Sequence, residues 1–329
     1  MKPRFMGVLA SGLVMTGVLG GCASSSGSGG VSSASTLTTT ATITVGVGPV
    51  ADYTQYFVAE QEGYFAKNHL KVKAVTTNSG PEGIDAIKSG SIDFTYSATL
   101  PTYLADQSGL GLVYVGPGDI ESPGYWQYYM AVKSDSTISS LKQVFATKGT
   151  KIGWIGSSTP NAIAVRLLER EMGVSGLDVT FVTLSPPDIT TALEAGEVQA
   201  AISLEPFTTI ALQSKAIKTI GGPLDTIMGN SVPTGGYIAS SSWAKAHTGV
   251  LTAFNKALTE ATQYIDAHSQ QTKDIISSAL KISASVADAM PPIDFVSQLS
   301  ATDLQTQIDQ AVSVGLLTTK LNASDVLNS

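Results

Sequence analysis

Cysteine is almost absent from this chain of 329 residues; Cys22 is the only one. A single thiol excludes an internal disulfide framework and any cysteine-based metal site. Histidine is scarce too, and His69, His247 and His268 are scattered over a helix-strand corner and a helical tail without metal-ligand spacing. No metal or cofactor is therefore expected. Basic residues number 19 against 26 acidic, for a net charge of −7, and Lys2 and Arg4 fall in the N-terminal leader. Beyond that leader the arginines are reduced to Arg166 and Arg170, one turn apart beside Glu169, which read as a solvated helix face. So acidic a chain is a poor partner for nucleic acid. Charged residues make up 14% and hydrophobic residues 43%, a globular rather than a disordered composition.

Several catalytic signatures are also missing. There is no phosphate loop ending in Gly-Lys-Ser/Thr, and no Gly-x-Ser-x-Gly elbow in the folded part. Gly46-Val47-Gly48-Pro49-Val50-Ala51 follows a predicted strand and has the outline of a dinucleotide fingerprint. Its context is wrong: the next strand ends at Thr76-Thr77-Asn78 without the carboxylate that holds a ribose, and Pro49 removes a backbone N–H needed at the pyrophosphate.

What the chain does have begins at its N-terminus. Lys2 and Arg4 precede an apolar or small-residue run from Phe5 to Leu19, then Gly20-Gly21-Cys22, the layout of a secretory signal peptide over residues 1–21. The end of it resembles the bacterial lipobox, which implies cleavage before Cys22 and lipidation of that residue. Residues 22–40 are rich in Ser, Thr and Gly and read as a flexible tether. No apolar run downstream reaches the roughly 18 residues of a membrane span. We expect an extracytoplasmic protein, lipid-anchored to the cell membrane without spanning it.

From residue 41 onward strand and helix patterns alternate, which predicts an α/β fold. Strands are expected at Ile43–Val47, Leu70–Thr76 and Ile92–Tyr96, with helices over 55–66 and from Pro81 to near Gly90. The order recurs: strand Lys151–Ile155, helix Pro160–Met172, strand Val179–Leu184, helix Asp188–Ala195, strand Val198–Leu204. Ala86 to Asp93 aligns with Ala192 to Gln199, each a helix closed by Gly (Gly90, Gly196) before a strand. That repetition predicts a duplicated lobe: lobe I over 41–129 and 237–329, lobe II over 130–236. Extended stretches at Tyr128–Val132 and Gly235–Ala239 are expected to be the two hinge crossings. From Trp243 onward Leu251, Phe254, Leu258, Ala261 and Ile265 mark one helical face, so the C-terminal tail is predicted to be helical and packed on a lobe, the first by preference.

In such a sheet the carboxyl ends of the strands share one edge, where helix N-termini present free N–H groups. Candidates there are Ser79 and Gly80, Ser97, Ala98 and Thr99, and Ser157, Ser158, Thr159 and Asn161. Each Ser or Thr taken alone reads more readily as a helix cap, and the cluster as a whole carries the ligand reading. Tyr53 and Trp126 are chosen from the aromatics as pocket walls, and Asp52 and Glu205 as acidic contacts.

Three segments carry a family resemblance. Phe57-Val58-Ala59-Glu60-Gln61-Glu62-Gly63-Tyr64-Phe65 resembles the Ala-x-x-x-Gly-Tyr-Phe signature of the NMT1/THI5-like (SsuA/TauA-type) substrate-binding proteins of ABC importers. Ala86 to Phe94 resembles their Ala-Leu-x-x-Gly-x-x-Asp-Phe segment, and Glu205-Pro206-Phe207 their Glu-Pro-Phe. Gly315-Leu316-Leu317 fits near the end, and the likeness covers about residues 41 to 325. The resemblance implies a two-lobed periplasmic-binding-protein fold of type II, a monomer without catalysis, and a small-molecule ligand passed to permease and ATPase subunits. It implies contacts from the loop after the first strand and from the helix N-termini and Glu205 named above. Family ligands are aliphatic sulfonates, taurine, nitrate-like anions and thiamine pyrimidine precursors. Helix N-termini without arginine suit a sulfonate, whereas Asp52, Glu205, Tyr53 and Trp126 suit a planar nitrogen heterocycle. The Asn-His pattern of thiamine-precursor binders is missing after Asp52. A receptor-docking sensor and an enzyme on the same scaffold are the alternatives. The fungal pyrimidine synthase of the family needs a cysteine-rich motif that a chain with only Cys22 cannot supply.

Overall fold

The computed structural model describes residues 37–156, 159–173 and 179–328. Cys22, the leader and most of the tether lie outside these residues, as do Ser157 and Ser158. The strands are β1 (Ala41–Val47), β2 (Leu70–Thr76), β3 (Phe94–Ala98), β4 (Leu112–Glu121), β5 (Tyr128–Lys133), β6 (Lys151–Trp154), β7 (Thr180–Thr183), β8 (Ala200–Leu204), β9 (Ile217–Thr219), β10 (Val232–Ser240) and β11 (Asp294–Val296).

They form two sheets of mixed direction, ordered β11-β4-β10-β3-β1-β2 and β7-β6-β8-β5-β9. In the first, β2, β1 and β3 run parallel and β10 lies antiparallel between β3 and β4. The second repeats the plan, with β7, β6 and β8 parallel and β5 antiparallel between β8 and β9. The duplication extends to single hydrogen bonds. The Gly90 and Ser91 N–H groups donate to the carbonyls of Ile87 and Ala86, and those of Gly196 and Glu197 to Leu193 and Ala192. Both are Schellman caps, with φ of 73° at Gly90 and 72° at Gly196. Asp93 then accepts from the Thr44 N–H while Gln199 accepts from the Lys151 N–H, so equivalent side chains pin each corner to its first strand.

The two stretches expected to be hinge crossings are extended, but both are ladder-bonded inner strands, β5 and β10. Their alternation and burial come from pairing on both edges, a pattern a hinge shares only in being extended. The chain leaves the first sheet after Glu121 and enters the second at Tyr128, and returns between Thr219 and Val232. The helix expected over 55–66 is broken into Thr54–Gln61 and Tyr64–Lys67 by Gly63, whose φ is 73°.

The long helix Thr248–Ala267 buries Leu251, Phe254, Leu258 and Ala261 against the first sheet, as its spacing predicts. Phe254 stacks on Phe94 at 4.6 Å and 4°, and Trp243 meets the same ring edge-on. The tail also reaches the second sheet's side. The Gln213 amide donates to the Ser285 carbonyl at 2.8 Å, and Arg170 donates to Ser313 at 3.2 Å. Among the described residues no helix is long and apolar enough to cross a membrane.

A Cβ built at Gly90 or Gly196 meets nothing within 4 Å, so substitution there is opposed by backbone conformation alone. We predict that Gly90→Ala and Gly196→Ala each lower unfolding free energy by about 1 to 2 kcal/mol in urea titrations, and by similar amounts.

Candidate ligand-binding cleft

Strand direction decides which residues meet. In the first sheet the carboxyl ends of β1, β2, β3 and β4 carry the Ala51–Tyr53 turn, Ser79–Gly80, Ala98–Thr99 and Asp119–Glu121. In the second, the matching edge carries Thr159–Asn161 after β6, Glu205 after β8, and Gln127–Tyr128 at the start of antiparallel β5. The edges face and touch: the Ala51 N–H donates to the Glu205 carbonyl at 3.4 Å.

Carboxylates and tyrosines crowd the line of contact. Asp119 is fully buried and Asp52 is 6% exposed. The Tyr96 hydroxyl donates to Oδ1 of Asp119, while Asp119 Oδ2 and Asp52 Oδ1 have no partner. Burial first, and then the nearby Asp52 charge, pushes Asp119 well above the usual carboxylate range. Burial likewise lifts Asp52 to about 6 against the stabilising pull of its own backbone and of Tyr96. Glu121 rises to about 7 from burial, although its Oε1 accepts from the N–H groups of Gln127 and Tyr128, both at 2.8 Å. Those two bonds fix the chain where it passes between the sheets. Tyr128 and Tyr237, also buried, are raised by burial and by the acids beside them.

Glycines make room for this arrangement. A Cβ at Gly235 would lie within 2.6 Å of the Tyr96 hydroxyl and the Ser97 carbonyl, and one at Gly118 would strike the Gly235 carbonyl. Without side chains at either position, β4 and β10 close up around Tyr96 and Asp119.

The sequence candidates divide. Asp52 sits in the contact between the edges, and Glu205, 4% exposed, accepts there from the Thr209 N–H at 3.2 Å, its pKa raised by burial. Asn161 is fully buried in the first turn of the helix Pro160–Glu171, and neither atom of its amide has a partner. Thr159 is buried as the N-cap of that helix, its hydroxyl donating to Gly156 at 3.4 Å. Others are committed internally. Ser79 is an exposed helix cap accepting from the Glu82 N–H at 3.3 Å, and Gly80 follows it half-buried. The Ser97 hydroxyl pairs with Thr102, Thr99 donates to the Pro233 carbonyl, and the Ala98 carbonyl takes the Thr102 and Tyr114 hydroxyls. Tyr53 packs in the first sheet's aromatic core, 5.5 Å from Tyr96. Trp126 is half-buried in the passage between sheets, its carbonyl accepting from Tyr129.

Sequence reasoning missed Asp119, Glu121 and Tyr96. Two acids at alternate positions beyond the apolar run Leu112–Val115, in Gly118-Asp119-Ile120-Glu121, were the available signal, since alternate residues of a strand share a face.

The raised carboxyls set a pH dependence. A native pKa above the unfolded value means that the native chain holds more protons, so stability is full below about pH 4 and is lost as pH climbs through about 6 at Asp52 and about 7 at Glu121. We predict that the ligand-free protein loses thermal stability between pH 5 and 7.5 and that Asp52→Asn flattens this slope, by about 2 to 3 kcal/mol at pH 7.5. Gly235→Ala should destabilise by about 1 to 3 kcal/mol at any pH by driving Tyr96 off Asp119.

Comparisons with known proteins agree with this architecture. The family model described as NMT1/THI5 like matches residues 50–272. A protein of Escherichia coli (strain K12) named for binding aliphatic sulfonates is 27% identical over 191 residues, 57% of this chain and 56% of that protein. The match thus spans little more than half of that relative's length. A 4-amino-5-hydroxymethyl-2-methylpyrimidine phosphate synthase of Aspergillus parasiticus is 24% identical over 220 residues, 64% of this chain and 61% of that one. In three dimensions the alkanesulfonate-binding protein SsuA from Xanthomonas axonopodis pv. citri, bound to MOPS, superposes with a TM-score of 0.74 at 19% identity, over 89% of this chain and 99% of that one. The nitrate-binding protein NrtA from Synechocystis PCC 6803 gives 0.69 at 13% identity, over 86% and 84%. The fold is that of periplasmic binding proteins, and the chain belongs to the NMT1/THI5-like family.

Proposed function

We propose that this chain is the extracytoplasmic solute-binding subunit of an ABC importer, catching a small molecule between its two lobes and handing it to a permease. The observation that carries the reading is the set of buried polar atoms without partners where the two sheet edges meet: Asp52 Oδ1, Asp119 Oδ2 and both amide atoms of Asn161. Buried polar groups are ordinarily satisfied, and a solute lying between the lobes would satisfy these. The names of relatives, which include sulfonate and nitrate binders, support the same reading.

In this account lobes I and II are built on the first and second sheets and rotate about residues 122–127 and 220–231. Opening breaks the Ala51–Glu205 bond and wets the acids; ligand closes the lobes again. The chain acts as a monomer, anchored through lipid on Cys22 and the tether outside the cytoplasm, and performs no chemistry on its cargo. The cleft supplies carboxyls and hydroxyls for binding and orientation, with no histidine or cysteine among them.

The test is thermal unfolding of the full chain against alkanesulfonates, taurine, nitrate, aminopyrimidines, amino acids and alkylamines. A cognate solute at 100 times its Kd adds about 2.7 kcal/mol. Asn161→Ala should abolish that shift while leaving the unliganded Tm within about 2 °C. Failure of every solute class would overturn the proposal.

A further inference from the structure

The segments that form the two facing edges contain no lysine, arginine or histidine. This holds for 48–54, 77–82, 97–102, 117–130, 155–156, 159–161, 203–209 and 220–226. The ion pairs given by the described residues engage Glu260, Asp135, Glu169 and Asp309, all away from the cleft. The acids between the lobes therefore have each other, backbone N–H groups, tyrosines and the neutral side chains of Gln127, Thr234 and Thr209 for company.

Their hydrogen-bond capacity is equally one-sided. The Tyr96 hydroxyl is spent on Asp119, that of Tyr53 on Thr95 and the Tyr96 carbonyl, and that of Tyr129 on the Trp126 carbonyl. What stays unpartnered is chiefly acceptor: Asp52 Oδ1, Asp119 Oδ2, Glu121 Oε2, Gln127 Oε1 and the Asn161 amide oxygen. Against these stand three unpartnered donors, the Asn161 amide nitrogen, the Tyr237 hydroxyl and, beside the latter, the Tyr56 hydroxyl. Asp119, Glu121, Asn161 and Tyr237 are at most 1% exposed, and Asp52 6%. A sulfonate or nitrate is acceptor-only and anionic, so it can pair only with protonated carboxyls; once these ionise it answers neither the surplus of acceptors nor the charge. A ligand rich in N–H donors and bearing positive charge answers both.

We infer that the captured solute is an organic cation, an ammonium, amidinium or guanidinium compound whose head lies between Asp52 and Asp119, in place of the anions for which several relatives are named. This rests on the solute-capture reading and narrows it. Among the described residues no three His, Cys, Asp or Glu side chains are grouped to hold a metal ion, and calcium and zinc serve as controls for the organic head in the experiment below. Planar heads suit the site further, because carboxylates take N–H groups in parallel pairs.

The groups that face Asp52 are Tyr96 on β3, Asp119 on β4 and Tyr128 on β5, with Tyr237 on β10 and Tyr53 in its own turn. All lose positive or gain negative charge as pH rises. A cation must displace the carboxyl protons, so its affinity climbs with pH, whereas an anion needs those protons and weakens.

The experiment measures thermal shift and calorimetric affinity of the full chain with n-butylguanidinium, benzamidinium and tetramethylammonium, each at about 10 mM, beside n-butanesulfonate, nitrate, calcium and zinc. Expected are a shift with at least one organic cation, affinity rising about tenfold from pH 5 to pH 7, and a loss of about tenfold or more in Asp119→Asn. The same variant should retain or raise the unliganded Tm, which separates lost binding from lost folding. A shift with butanesulfonate or nitrate alone, or with the metal ions alone, overturns the cation assignment and leaves solute capture standing. Silence from all three organic cations overturns the assignment as well; solute capture falls only if the wider panel is silent too.

Discussion

Asp52 and Asp119 are buried beside each other with no basic side chain among the described residues between them, and the cleft is organised by how that contact is enclosed. Two neighbouring carboxyls removed from water repel when ionised and lack solvation when not, so they persist only where the surroundings are rigid and well packed. Here the rigidity comes from two sheets that end at the same place. Parallel strands direct their carboxyl ends to one edge, and the Ala51–Glu205 bond holds one edge against the other. The tail helices bind both sides behind the cleft through Gln213–Ser285 and Arg170–Ser313.

The duplicated plan explains why the strain falls at the centre. Each sheet holds one strand, β10 or β5, that belongs in sequence to the chain's passage between the halves. Because these strands are inner members of their ladders, the passages 122–127 and 220–231 are short and tied at both ends. Glu121 strengthens the first by accepting from the backbone of Gln127 and Tyr128. A relative movement of the sheets therefore pivots next to the acids themselves. Ligand charge and lobe position are thereby coupled through one small set of atoms.

Much of the fold could be read in the sequence because its signals were local. Gly90 and Gly196 marked equivalent helix ends, since a left-handed cap favours glycine wherever it occurs, and the Leu251–Phe254–Leu258–Ala261 stripe gave the tail helix its buried face. What escaped was whatever depended on distant pairing. Tyr128–Val132 and Gly235–Ala239 look extended whether they bridge lobes or lie within a sheet, and only their partners on both sides decide. Asp119 and Glu121 read as ordinary acids at a strand end; nothing local says that Tyr96, from another strand, closes over one of them. Ser79 and Ser97 also serve locally, Ser79 accepting from the Glu82 N–H and Ser97 bonded to Thr102 and the Ala98 carbonyl, pairings that only the folded chain reveals. Asp52, Asn161 and Glu205 lie at the facing edges because strand ends in an α/β sheet share an edge, a constraint that topology imposes without distances.

The comparison with anion binders turns on the same point. A cleft that holds an anion without arginine must rely on helix N-termini and on hydroxyls free to donate. In this chain many hydroxyls at the edge donate inward, to Asp119, to main-chain carbonyls and to one another. A shared fold fixes where the solute lies but leaves its charge to the side chains. Replacing a carboxyl by a donor at two positions, 52 and 119, would reverse the local field with no change of backbone, because both residues hang from strand ends that the sheets hold regardless. Ligand class can therefore diverge within this architecture faster than the architecture itself, and the carboxyl pair, more than the overall likeness, defines what this cleft admits.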